Sequence, residues 1–157
     1  MKRIILGLLI LLNLNLFGNN LEILSKQCGQ ESLKKEHGNL RVCLKAIKLI
    51  KSKFFFSTQK KNESLCSLYN YTAYIYEAKK DYDNAAIMFK KSIALNTGSS
   101  NLARINLGRL YYYGQGVMKN YNKAYKLWKQ VVKNGDWTGN ASNNLDILCQ
   151  EHPWVCK

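Results

Sequence analysis

Five cysteines, two histidines and two serines placed three residues before a lysine are the groups in this chain that could do chemistry. Cys149, His152 and Cys156 carry donor atoms for zinc, but a closed structural site takes four ligands and no fourth is indicated. His37 and His152 belong to no HExxH pair and no Ser/His/Asp set. Ser32 with Lys35 and Ser57 with Lys60 satisfy S-x-x-K, and Ser142 with Asn144 echoes S-x-N. No K-T-G accompanies them, and ten serines among twenty lysines produce that spacing by chance. Gly114-Gln115-Gly116 lacks the third glycine and the preceding strand of a phosphate cradle. The expectation is a chain with no catalytic set, no metal and no cofactor.

The thiols read instead as disulfide chemistry. Cys149 and Cys156 are neighbours in sequence with Pro153 between them to bend the chain, so they are expected to pair. A second bridge would join two of Cys28, Cys43 and Cys66, leaving one thiol over. The alternative is that all five are small buried apolar residues.

Disulfides persist in oxidising compartments, and the amino terminus offers a route to one. Lys2 and Arg3 precede an apolar run from Ile4 to Leu12, and Leu16, Phe17 and Gly18 lead into Asn19 and Asn20. Residues 1–18 therefore read as a secretory signal peptide and the mature protein as periplasmic. Ile4 to Phe17 is interrupted by Asn13 and Asn15 and falls short of the roughly 20 apolar residues that cross a bilayer; an uncleaved membrane anchor is the alternative. No cysteine stands at the cut for a lipid anchor.

The formal charge of +14 is uneven: residues 26–61 hold ten basic side chains against Glu31 and Glu36, whereas residues 62–100 carry four of each sign. Lys34, Lys35, Arg41, Lys45, Lys48 and Lys51 make up a basic patch. Behind a signal peptide its acidic partners are anionic lipid, cell-wall polymer or acidic proteins rather than nucleic acid. The plainer reading is a solvated helix face.

Helices must position all of these groups. Leu40, Cys43, Leu44, Ile47, Ile50 and Phe54 share one face at helical spacing, and a break near His37 and Gly38 divides residues 21–54 into two helices. Ser57 to Asn62 reads as a polar loop. Tyr69, Ala73 and Tyr76 are followed, after a turn at Lys80 and Asp81, by Tyr82, Ala85 and Phe89, which describes a hairpin whose small residues let two helices approach. Ala103, Leu107 and Tyr111 precede a turn at Gly114 and Gly116, and Tyr121, Ala124 and Trp128 follow it. Placing Ala73 on Gly108 puts Tyr76 on Tyr111, so the hairpin repeats after 35 residues. Asn140 to Gln150 reads as a closing helix that uses Leu145 and Leu148.

Cys66 to Ser99 resembles a tetratricopeptide repeat at Tyr69, Ala73, Tyr76, Tyr82, Ala85 and Phe89, with Thr72 and Ser92 as weaker matches and Thr97 where proline usually closes the motif. Ala103 to Gly135 is similar to a Sel-one-like repeat at Ala103, Leu107, Gly108, Tyr111, Gly114, Gly116, Val117, Tyr121, Ala124, Trp128 and Gly135. It departs from that pattern at Val131 and Val132, and at Asp146, where a further unit would have glycine. The resemblance implies an all-α superhelix, a solenoid of antiparallel helix hairpins that binds other proteins. Together with the amino-terminal readings, the chain divides into a signal peptide (1–18), a basic helical pair (19–62), a tetratricopeptide-like hairpin (63–99), a Sel-one-like repeat (100–135) and a capping helix with tail (136–157).

In such arrays the first helix of each pair faces the groove. Carried across, that gives Asn70, Tyr74 and Glu77 from the first unit and Ile105, Arg109, Tyr112 and Tyr113 from the second as groove residues; tyrosine and arginine are common interface anchors. The alternative for Tyr112 and Tyr113 is a capping or packing role. The functional expectation is a non-catalytic adaptor for other envelope proteins, with a binder of anionic lipid or cell-wall polymer as the alternative.

Overall fold

The computed structural model describes residues 22–29, 39–52, 57–135 and 138–157. All regular structure among them is helical. Helix α1 covers 22–29, α2 is Leu40–Lys51, α3 Thr58–Ala78, α4 Tyr82–Ala94, α5 Ser100–Tyr113, α6 Tyr121–Lys133 and α7 Asn140–Glu151, followed by a 3-10 turn at Pro153–Val155. None of these helices is long and apolar enough to cross a membrane. The signal segment, Lys34, Lys35 and the break at His37 and Gly38 lie outside the described residues.

Short polar side chains start most of the helices, because each can satisfy one of the backbone donors that the first turn leaves without a partner. Asn39 accepts from the Val42 amide, Asp81 from Asn84 and Asn120 from Lys123. Ser57 does the same for Lys60, and this corrects the loop expected at Ser57 to Asn62: α3 begins at Thr58. Its first two turns are solvated and polar, so they carry no apolar period, while the cap and good helix formers such as Gln59, Lys60 and Lys61 suffice to extend it. The boundary at 62/63 thus falls inside a helix.

Packing is sequential. From α2 to α7 each helix packs against its neighbour in the chain, and α3 also touches α5. Cys43, Ala46, Ile47 and Ile50 bury one face of α2, and Ala73, Ala85, Phe89, Ala103, Leu107 and Leu110 continue that core through α3, α4 and α5. A second cluster of Ala124, Trp128, Val131, Ala141, Leu148 and Val155 joins α6, α7 and the tail. Tyr111 packs against both, which makes α5 the shared wall.

Glycine at 108 sets how closely α5 and α6 approach. A methyl group there would stand 2.3 Å from Trp128 Nε1, so the indole occupies the space of the missing side chain. Its N–H donates to the Ile105 carbonyl at 2.9 Å. The turn beyond α5 needs glycine for another reason. Gly114 ends the helix at φ 73° and Gly116 has φ 63°, where side chains other than glycine are strained. Gly116 also lies against the Tyr82 backbone, 2.1 Å from where its Cβ would be, so the turn abuts the start of α4.

Two disulfides are present, Cys149 with Cys156 as expected and Cys28 with Cys43 as the second. The latter ties α1 to α2 across a separation of 15 residues. Cys66 is the remaining thiol, buried beside Ser92 Oγ at 3.0 Å and Ser100 Oγ at 3.5 Å.

Gly108→Ala is expected to lower unfolding free energy in denaturant by about 1–3 kcal/mol, since the indole cannot yield without losing its hydrogen bond. Gly98→Ala, with nothing within 4 Å of the added carbon, should stay within about 0.5 kcal/mol of the parent.

Candidate functional site

The residues expected to line a groove fall on α3 and α5, and most of their polar groups are used within the chain. Asn70 is buried, 3% exposed, and its amide donates to the Ser99 carbonyl at 3.0 Å, where it fastens the entry to α5. It therefore serves as an internal tie and not as a contact surface. Tyr74 is half-buried, with its ring edge-on to Phe89, and its hydroxyl accepts from Asn106 at 3.1 Å. Burial pushes its phenol up to about 12.

Glu77 and Arg109 meet across the α3/α5 contact at 2.5 Å. Burial raises the Glu77 carboxyl, and the Arg109 guanidinium opposes that rise only in part. The pair thus matters chiefly because it prevents a half-buried carboxylate from standing alone. Tyr74, Glu77, Asn106 and Arg109 together join two helices that are not consecutive in the chain.

Ile105 lends its carbonyl to Trp128 and packs against the second core. Tyr112 and Tyr113 lead elsewhere. Tyr112 sits among rings: Tyr113 at 4.9 Å between centroids, Tyr121 at 5.5 Å and Trp128 at 5.9 Å. Tyr121 stacks on His152 at 3.8 Å, and Trp154 meets both edge-on. The Tyr112 hydroxyl donates to Glu151, and that carboxylate pushes the phenol up to about 12.

This aromatic surface gathers the end of α5, the start of α6 and the tail behind α7. Its outer members are open to water, Tyr113 at 59% and Trp154 at 60% exposure, and Met118 in the adjoining turn is 89% exposed. The disulfide between Cys149 and Cys156 closes the short loop that carries His152 and Trp154. It also consumes both sulfurs of the Cys149, His152 and Cys156 set, so that set has no thiolate to offer a metal. The sequence points to Tyr112 and Tyr113 as groove residues and to His152 only as a metal donor, and it raises no expectation for Trp154. The available signal was a tryptophan beside proline inside a closely spaced cysteine pair.

The described part of the basic patch, Arg41, Lys45, Lys48 and Lys51, lies on α2 with every member exposed. Among the described residues no carboxylate pairs with them; Lys51 rests over the Tyr69 ring at 5.7 Å.

Removing Arg109 should leave the Glu77 carboxyl still higher in the fold relative to its ordinary value of 4.5. A raised carboxyl favours the fold below its unfolded value and loses that advantage as pH rises through the folded one. Arg109→Ala is therefore expected to be more destabilising at pH 7 than at pH 4 in thermal melts, with Glu77→Gln added to it abolishing the difference.

Comparison of the chain with protein-family models, curated proteins and solved structures finds no match.

Proposed function

We propose that this protein is a non-catalytic adaptor of the bacterial cell envelope, exported to the periplasm, which holds protein partners through the aromatic surface built around Tyr112, Tyr113 and Trp154. The fold behind that surface is read as a short solenoid in which a tetratricopeptide-like hairpin, α3 and α4, stacks on a Sel-one-like hairpin, α5 and α6. The sequential packing supports this reading, as does the burial of both Ala73 and Gly108, which correspond at 35-residue spacing. The two disulfides fit an oxidising compartment.

The observation that carries the functional reading is the exposure of large rings on a rigid frame. Tyr113 and Trp154 leave more than half of their surface in water although both adjoin a packed cluster. Rings held at a fixed angle lose little side-chain entropy on association, so such residues anchor interfaces efficiently. A surface of this kind is favoured for protein contact over the α3/α5 face, where most polar groups are already bonded within the chain.

The basic stripe on α2 favours a second reading, in which Lys45 and Lys48 bind anionic lipid or cell-wall polymer. Their exposure and lack of acidic partners support it.

A photo-crosslinker introduced at Tyr113 in the native host is expected to trap a defined protein. Tyr113→Ala with Trp154→Ala should weaken capture of that protein by about tenfold or more while the melting temperature holds; unchanged capture would reject the aromatic surface. For the second reading, sedimentation with phosphatidylglycerol vesicles should fall steeply between low and high salt and be lost in Lys45→Glu/Lys48→Glu. Salt-independent sedimentation, or none, would exclude the lipid form of this reading.

A further inference from the structure

A separate trough runs between α4 and α6 with α5 as its floor. Leu107 and Tyr111 form the base, Ile93 and Ala94 one wall, and Leu127 the other, around a volume of about 400 Å³. The lining is almost wholly apolar, and three lysines stand along it: Lys90 on the α4 side, Lys123 and Lys126 on the α6 side. All three are exposed. Lys123 lies over the Tyr111 ring at 5.1 Å. Neither Lys90 nor Lys126 has a carboxylate within ion-pair distance among the described residues. Ile87, one turn before Lys90 on α4, is itself 44% exposed.

The geometry points to this trough as a docking site for an acidic amphipathic helix of another protein. Charge selects the sign of the occupant, because cations on both walls around an apolar floor complement an apolar stripe flanked by carboxylates on each side. A second copy of this chain, with its formal charge of +14, would bring like charge to like charge. Backbone chemistry selects the form. Helix faces line the trough, and their main-chain groups are already bonded along α4, α5 and α6, so an extended peptide would find no main-chain ladder to pair its own backbone with. A helix satisfies that backbone internally and presents side chains alone. Openness argues against a free acyl chain, which would keep much of its length in water here, whereas small-molecule pockets enclose most of their ligand.

This inference does not depend on the aromatic surface, and the test separates the two. A fluorescein-labelled peptide with leucines at i, i+3, i+4 and i+7 flanked by glutamates is titrated with the full chain by fluorescence anisotropy. A peptide of the same residues, scrambled to remove the stripe, and vesicles containing phosphatidylglycerol serve as the other arms. The striped peptide should bind about tenfold or more tightly than the scrambled one, and Lys90→Glu/Lys126→Glu should remove about that factor. Tyr113→Ala/Trp154→Ala should leave it unchanged. Equal binding of the two peptides, or indifference to the lysine reversal, overturns the proposal. So does failure of the peptide with vesicle binding that Lys90→Glu/Lys126→Glu abolishes, which would assign the trough to a lipid surface. Both reversed lysines are exposed, and circular dichroism of that variant confirms that any loss is not unfolding.

Discussion

The indole of Trp128 stands where a side chain on residue 108 would otherwise be, and much of the surrounding structure follows from that exchange. Burying so large a ring stabilises the α5/α6 pair by area alone, but its N–H must also find an acceptor once removed from water. The Ile105 carbonyl supplies it at 2.9 Å. Because that carbonyl belongs to the helix that Trp128 packs against, one side chain fixes separation and register at once. The rings of Tyr112 and, through it, Tyr121 and His152 then take their positions around the fixed indole.

Sequential packing means that no helix pair closes its own core. Tyr111 reaches both apolar clusters, and the turn after α5 lies against the start of α4, so the second hairpin is seated on the first by backbone contact as well as by side chains. The polar ties between α3 and α5 add direction to this. The Asn70 amide, the Tyr74 hydroxyl and the Glu77 carboxylate each meet a group about thirty residues later in the chain, and hydrogen bonds of this kind penalise a shift of one helix along the other. Arg104, 3% exposed, bonds locally instead, to Asn96 in the α4/α5 turn and to Asn101 on its own helix, and its Nε has no partner.

Much of this was legible in the sequence where small and large apolar residues alternate at helical spacing. Ala103, Leu107, Gly108, Ala124 and Trp128 announce a close helix pair, and the structure buries all of them. The pairing of Cys149 with Cys156 follows from proximity and a bend. Other features leave no such trace. Polar residues such as Asn70 and Glu77 have the same spacing whether they face solvent or a helix two elements away, so one sequence does not reveal that they are internal. The start of α3 is polar throughout and shows no period. His152 and Trp154 lie beyond the last periodic segment, in a loop shaped by its disulfide, where helical spacing carries no information. Cys43 shares the apolar face of α2, but nothing in the spacing of three cysteines selects Cys28 over Cys66 as its partner.

The α5/α6 pair depends on the seating of Trp128 over Gly108, and the indole protons report on it directly. Hydrogen exchange followed by ¹⁵N NMR, with each tryptophan resonance assigned by substitution, should show the Trp128 Nε1 proton protected to nearly the same degree as the core amides of α5. The Trp154 proton should exchange rapidly. Exchange at Trp128 as fast as at Trp154 would contradict this seating, because it would mean that the ring is not held between the helices.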